Sequence, residues 1–122
     1  MPLARSLLLG VSIAISLGCA RIYFRQGMEE IQRERIRLHD YVELGRVDDA
    51  RESATRLDEL FRSPEIASGP FAEDPLFDHH RARALDILAA FRSESETDAA
   101  SAALAYSRLT GACQSCHDAL AR

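Results

Sequence analysis

Residues 97–120, TDAASAALAYSRLTGACQSCHDAL, decide the fold. Ala102, Tyr106, Leu109, Cys113, Cys116 and Leu120 recur at three- and four-residue spacing, which defines one side of a helix. The segment has no proline, and its alanines favour helix. Ala99, Ala102, Ala103, Ala105 and Ala112 are small. A small-residue lining is what a bulky planar group between helices requires.

Working towards the N-terminus, Ser93-Glu94-Ser95-Glu96-Thr97 is a polar break. Before it, Phe77, Ala84, Leu88 and Phe91 lie on one face of another helix, opened by Asp74 as cap and Pro75 at the first helical position. Pro64, Gly69, Pro70 and Pro75 make 63–75 a loop. Ahead of the loop, Asp48 caps a helix striped by Ala50, Ala54, Leu57 and Phe61. Gly45 stops a longer helix over 21–44, whose inner positions are Phe24, Met28, Ile31, Leu38 and Val42. Arg33, Arg35 and Arg37 fall mainly on its other side, with Glu29, Glu30 and Glu34 nearby for ion pairing. Four amphipathic helices with short connections, save one longer loop, predict an all-α fold, an antiparallel four-helix bundle.

Composition agrees. The 122 residues hold one core and no second sizeable one. The absence of tryptophan and of Val/Thr-rich alternation excludes an all-β fold. The net charge of −4, without a basic block, argues against nucleic acid as a partner. Three cysteines are too few for a disulfide scaffold.

Residues 1–20 form a separate unit, with 21–122 as the folded domain. Ser6 to Ala20 is uncharged and largely apolar, between Arg5 and Arg21. It falls short of the about 20 residues of a spanning helix and fits a secretion signal. Ile22-Tyr23-Phe24 extends it, so a retained, tilted anchor is also open. Cleavage after Ala20 is a second outcome, since Gly18-Cys19-Ala20 is a small-x-small site. Leu17-Gly18-Cys19 resembles a bacterial lipoprotein box, although Ser16 stands where leucine is usual, so lipidation of Cys19 is the third. All three export the domain, to a periplasmic location that is membrane-anchored in two of them.

Cys113-Gln114-Ser115-Cys116-His117 is a CxxCH sequence, the attachment signature of c-type haem. On a helix, residue 113 neighbours both 116 and 117. Two thiols can therefore add to the two vinyl groups of one haem while His117 brings a nitrogen beneath the iron. The reading calls for one covalent haem c, attached outside the cytoplasm. A zinc site needs four ligands and would have to recruit His79 or His80. A thioredoxin-type pair needs a preceding strand, and none is predicted.

A CxxCH within the last ten residues, at the end of the final helix of a bundle, resembles cytochrome c′, the class II cytochromes c. The likeness covers Phe24 to Arg122. It includes the Arg25-Gln26 pair, Gly45-Arg46-Val47-Asp48-Asp49-Ala50, and Gly111 through His117. The resemblance implies thioethers at Cys113 and Cys116, His117 as proximal ligand, and Arg25 near a haem propionate. The basic residue that members carry four positions after the histidine is Ala121 here. In low-spin members a first-helix methionine ligates the iron; in high-spin members an apolar residue leaves the iron open to gases. The family's distal position corresponds to Glu29, one residue from Met28. A thioether is the better iron ligand, and ordinary packing is the competing role for Met28.

His39, late in the first helix, is expected far from the haem end, and His79 and His80 are expected on the surface. Phe24, Phe77, Phe91 and Tyr106 are expected in the core or the haem wall. No acid–base constellation and no nucleophile with a paired base is present, so the chain is not read as an enzyme. The expected function is electron transfer by an exported monohaem cytochrome, with redox proteins as partners and the bacterial inner membrane as its anchor. Gas binding and a haem subunit of a larger membrane complex are the alternatives. The resemblance also implies a homodimer.

Overall fold

The structure is a computed structural model. It describes the backbone of residues 2–94 and 98–121, and the side chains of 18–93 and 98–121. The leader and anchor expectation for 1–20 rests mostly on side chains outside the described residues. Among the described residues every regular element is helical: α1 (Pro2–Glu43), α2 (Val47–Arg62), α3 (Pro64–Ala67), α4 (Pro75–Glu94) and α5 (Ala99–Leu120). No described helix is long and apolar enough to cross a membrane.

Two of the turn and cap signals read above act as expected, and two readings do not hold. Gly45 has φ +68°, the left-handed conformation that glycine adopts without strain. Its N–H donates to Val42 O at 3.1 Å and Arg46 N–H donates to Tyr41 O at 2.9 Å, which closes α1. Asp74 Oδ1 accepts from Leu76 N–H at 2.9 Å just before Pro75 opens α4. Asp48, however, does not cap α2. It lies in the first turn, where a carboxylate suits the helix dipole, and Arg46 holds the cap position without a side-chain bond. The expected loop at 63–75 contains the short helix α3, since proline at the first helical position costs no hydrogen bond. Asp98 caps α5, accepting from Ser101 N–H at 2.6 Å, a bond that holds its carboxyl below the usual range. The expected start of this helix at Thr97 lies outside the described residues.

The long helices are neighbours in the order α1, α2, α4, α5, with α5 closing back on α1. Among the described residues α1 and α4 make no close backbone approach, so they lie diagonally across the core. Leu38, Leu57, Leu88, Phe91 and Leu109 are fully buried there. Each contributes about 1.5–3 kcal/mol. Ile66 carries α3 onto α1 at Gly27, where a Cβ would come 2.9 Å from Ile66 Cδ1. Phe24, Phe71 and Phe77 meet at this end with ring centroids 5.2–5.8 Å apart.

One polar group is built into the α1–α2 seam. Glu34, expected to ion-pair with the nearby arginines, is 7% exposed. It accepts from Ser53 Oγ at 2.6 Å, Arg56 Nε at 2.9 Å and Arg37 at 3.0 Å. Its charge is balanced and its oxygens are occupied, as burial of a carboxylate demands.

Candidate cofactor site

The face of α5 that packs as core at Ala102, Ala105 and Leu109 continues one turn later as Ala112, Cys113 and Cys116. There it becomes the wall of a cavity of about 610 Å³, completed by His117. Opposite stands α1, with Arg25, Met28, Gln32 and Arg35. These fall at successive three- and four-residue steps, so one helical face presents them all. From α4 come Phe77, His80, Arg81 and Ala84, and from α2 comes Phe61. The volume lies within the about 300–1,000 Å³ of cofactor and ligand sites.

The five residues singled out from the sequence for this site all line the one cavity: Arg25, Met28, Cys113, Cys116 and His117. Met28 is partly buried and packs on the core. Arg25 has an 84% exposed side chain and lies 3.5 Å from Glu29, which also lines the cavity. Cys113 and Cys116 are partly buried free thiols, and Cys19 is an exposed one. Burial pushes the Cys113 thiol above its ordinary value, and the charge of Arg35 pulls against that rise. Burial likewise raises Cys116, with Cys113 and Asp74 adding to the effect. Both thiols are therefore neutral near pH 7.

His39 does not line the cavity; its ring lies 5.2 Å from that of Tyr106. His79 is exposed as expected. His80 is partly exposed, but it also forms part of the cavity wall, and its Nδ1 is enclosed without a hydrogen-bond partner. The reading of the α5 alanines is also corrected. Ala102 and Ala105 are core, Ala99 and Ala103 are exposed, and only Ala112 borders the cavity. Their small size lets α5 pack closely rather than leaving space.

Arg33 and Arg35 were expected mainly on the outer side of α1, yet both line the cavity, as does Arg81. Arg81 Nε donates to Phe61 O at 2.7 Å, closing the end of α2. The signal for Gln32 and Arg35 was present in their register, one and two turns after Met28. Among the described residues no three His, Cys, Asp or Glu are grouped to hold a bare metal ion. Compared with known proteins, the chain matches no family model, no curated protein and no solved structure.

Proposed function

We propose that this chain is an exported, membrane-tethered c-type cytochrome of the cytochrome c′ kind. Its long helices form an antiparallel four-helix bundle around one covalently attached haem, and its activity is electron transfer. The observation that supports this reading is the shared cavity: a CxxCH face on α5 and a methionine on α1 border the same cofactor-sized, largely apolar space. The donor chemistry fits the group. Cys113 and Cys116, partly buried on the cavity wall, would hold it as thioethers. His117 would be the proximal ligand and Met28 the distal one. Ala84, Phe61 and Phe77 would line the rest of the group's apolar surface. Haem, when bound, supplies a one-electron iron couple; the chain supplies its attachment, axial ligands and electrostatic surroundings.

A second reading has its own support. Met28 packs against the core. If it stays there when haem is attached, the iron keeps an open side and the protein binds small gases.

Mass spectrometry of protein matured in a bacterial host with the c-type attachment machinery is the test. The expected mass includes one haem that survives acidified organic solvent, and the same spectrum reads cleavage after Ala20 or lipid on Cys19. A mature exported protein with free thiols at Cys113 and Cys116 refutes the proposal.

A further inference from the structure

Resting on the haem reading, we infer that Arg35 sets the reduction potential of this site. It is a guanidinium on the cavity wall that, among the described residues, makes no ion pair with a carboxylate, and it favours the reduced iron. The other arginines of the cavity differ from it. Arg25 is exposed and lies beside Glu29 at 3.5 Å. Arg81 has its Nε bonded to the Phe61 carbonyl and Asp78 at 3.9 Å. Arg33 is exposed.

Arg35 is partly buried, and its Nε and one terminal nitrogen donate to Gln32 Oε1 at 3.3 and 2.9 Å. Gln32 is a turn earlier on the same helix, so it orients the guanidinium without cancelling its charge. Among the described residues no carboxylate pairs with Arg35. Its field reaches the α5 wall, where it is felt at Cys113. One-electron reduction removes one positive charge from the iron. A fixed cation in a partly buried wall opposes the oxidised form and is screened little by salt. The position of this charge also differs from that of Arg25, ten residues earlier on α1, which the family resemblance singles out.

The experiment is potentiometric titration of the mature holoprotein with dithionite and ferricyanide, for wild type, Arg35→Gln, Arg35→Lys and Arg25→Gln. Arg35→Gln is expected to lower the potential by the equivalent of about tenfold in the reduction equilibrium, about 59 mV for one electron. Arg35→Lys keeps most of the wild-type value. Arg25→Gln moves it less, and added salt shrinks that smaller shift further. Should Arg35→Gln fail to mature, Gln32→Leu keeps the charge but frees it, and a smaller fall is expected. An unchanged potential in Arg35→Gln, or in Gln32→Leu where that variant stands in, overturns the inference. So does an Arg35→Lys as low as Arg35→Gln, or an Arg25→Gln shift as large. Wild-type protein without attached haem refutes the underlying reading instead, and this inference falls with it.

Discussion

Met28 is where ligation and packing make different demands on one side chain, and two substitutions separate them. Deleting a fully buried methionine side chain costs about 2–5 kcal/mol. Met28 is only partly buried and already borders the cavity, so Met28→Ala enlarges an existing space instead of enclosing a new one. The expected loss is at the low end, about 2 kcal/mol. Met28→Leu conserves volume and costs under about 1.5 kcal/mol, yet it removes the sulfur. If Met28 ligates iron, both variants turn a low-spin spectrum high-spin and both gain CO binding in the reduced state, although their stabilities differ. If Met28 only packs, Met28→Leu is indistinguishable from wild type by spectrum. Urea unfolding followed by helical circular dichroism gives the stabilities, and visible spectra with and without CO give the ligation. A low-spin Met28→Leu, or a wild-type protein that is high-spin from the start, refutes ligation and moves the gas-binding reading ahead.

The α1–α2 seam supplies a prediction independent of any cofactor. Glu34→Ala leaves the fully buried Ser53 and the partly exposed Arg56 without their shared acceptor. It is expected to cost about 2–3 kcal/mol in urea unfolding, below the about 3–5 kcal/mol of a wholly buried pair because Arg56 still reaches water. A loss under about 1 kcal/mol counts against the clamp. The thiols supply another. In chain made without haem, alkylation at Cys113 and Cys116 should reach its half-rate at a higher pH than in the same chain in denaturant. The sign for stability follows: their contribution is full below the unfolded thiol pKa and is lost as pH rises through the higher folded value. Arg35→Gln should push Cys113 higher still, whereas equal alkylation profiles in native and denatured chain would show that the thiols are not shielded.

What the sequence made legible was periodicity and motif. The stripes through Leu38, Leu57, Leu88 and Leu109 predicted the helices and their inner faces, because burial repeats with the helix turn. CxxCH was legible because few other roles explain those residue types at that spacing, and the register of Met28 placed it on the inner face of α1, where it borders the same cavity. Long polar side chains were not. Arg35, Gln32 and His80 carry no hydrophobic signal, so a pattern that sorts apolar from polar puts them outside. A cavity wall is where that sorting fails, since polar groups there can face inward without being sealed from water. For Glu34 the ion pair with a nearby arginine was legible and is made with Arg37, but its burial was not. Its partner Arg56 is 22 positions away, and no local spacing announces a contact of that range. Asp48 failed differently: the left-handed turn at Gly45 advances the start of α2 to Val47, so the carboxylate arrives one step into the helix.

The location of the cavity has a cause in two helices that meet at one level and separate at another. The α1 face carrying His39 touches Tyr106 of α5, with ring centroids 5.2 Å apart. Followed back towards the N-terminus, that face presents Arg35, Gln32, Met28 and Arg25 to the cavity instead. The matching face of α5 passes from Ala102, Ala105 and Leu109, which are buried, to Ala112, Cys113 and Cys116, which form the opposite wall. The core elsewhere is closely filled, with Leu38, Leu57, Leu88 and Phe91 fully buried, so this space does not reflect loose packing throughout. Docking of α3 against Gly27 and the Phe24–Phe71–Phe77 cluster closes the fold beyond it. The cavity is thus bounded by packed residues on both sides along α1, and the level left between them is where this chain has two neutral thiols, the imidazoles of His80 and His117, and a thioether. That coincidence of shape and chemistry favours this cavity, over the hollow beside Phe71, Asp74 and Leu120, as the place for the proposed haem.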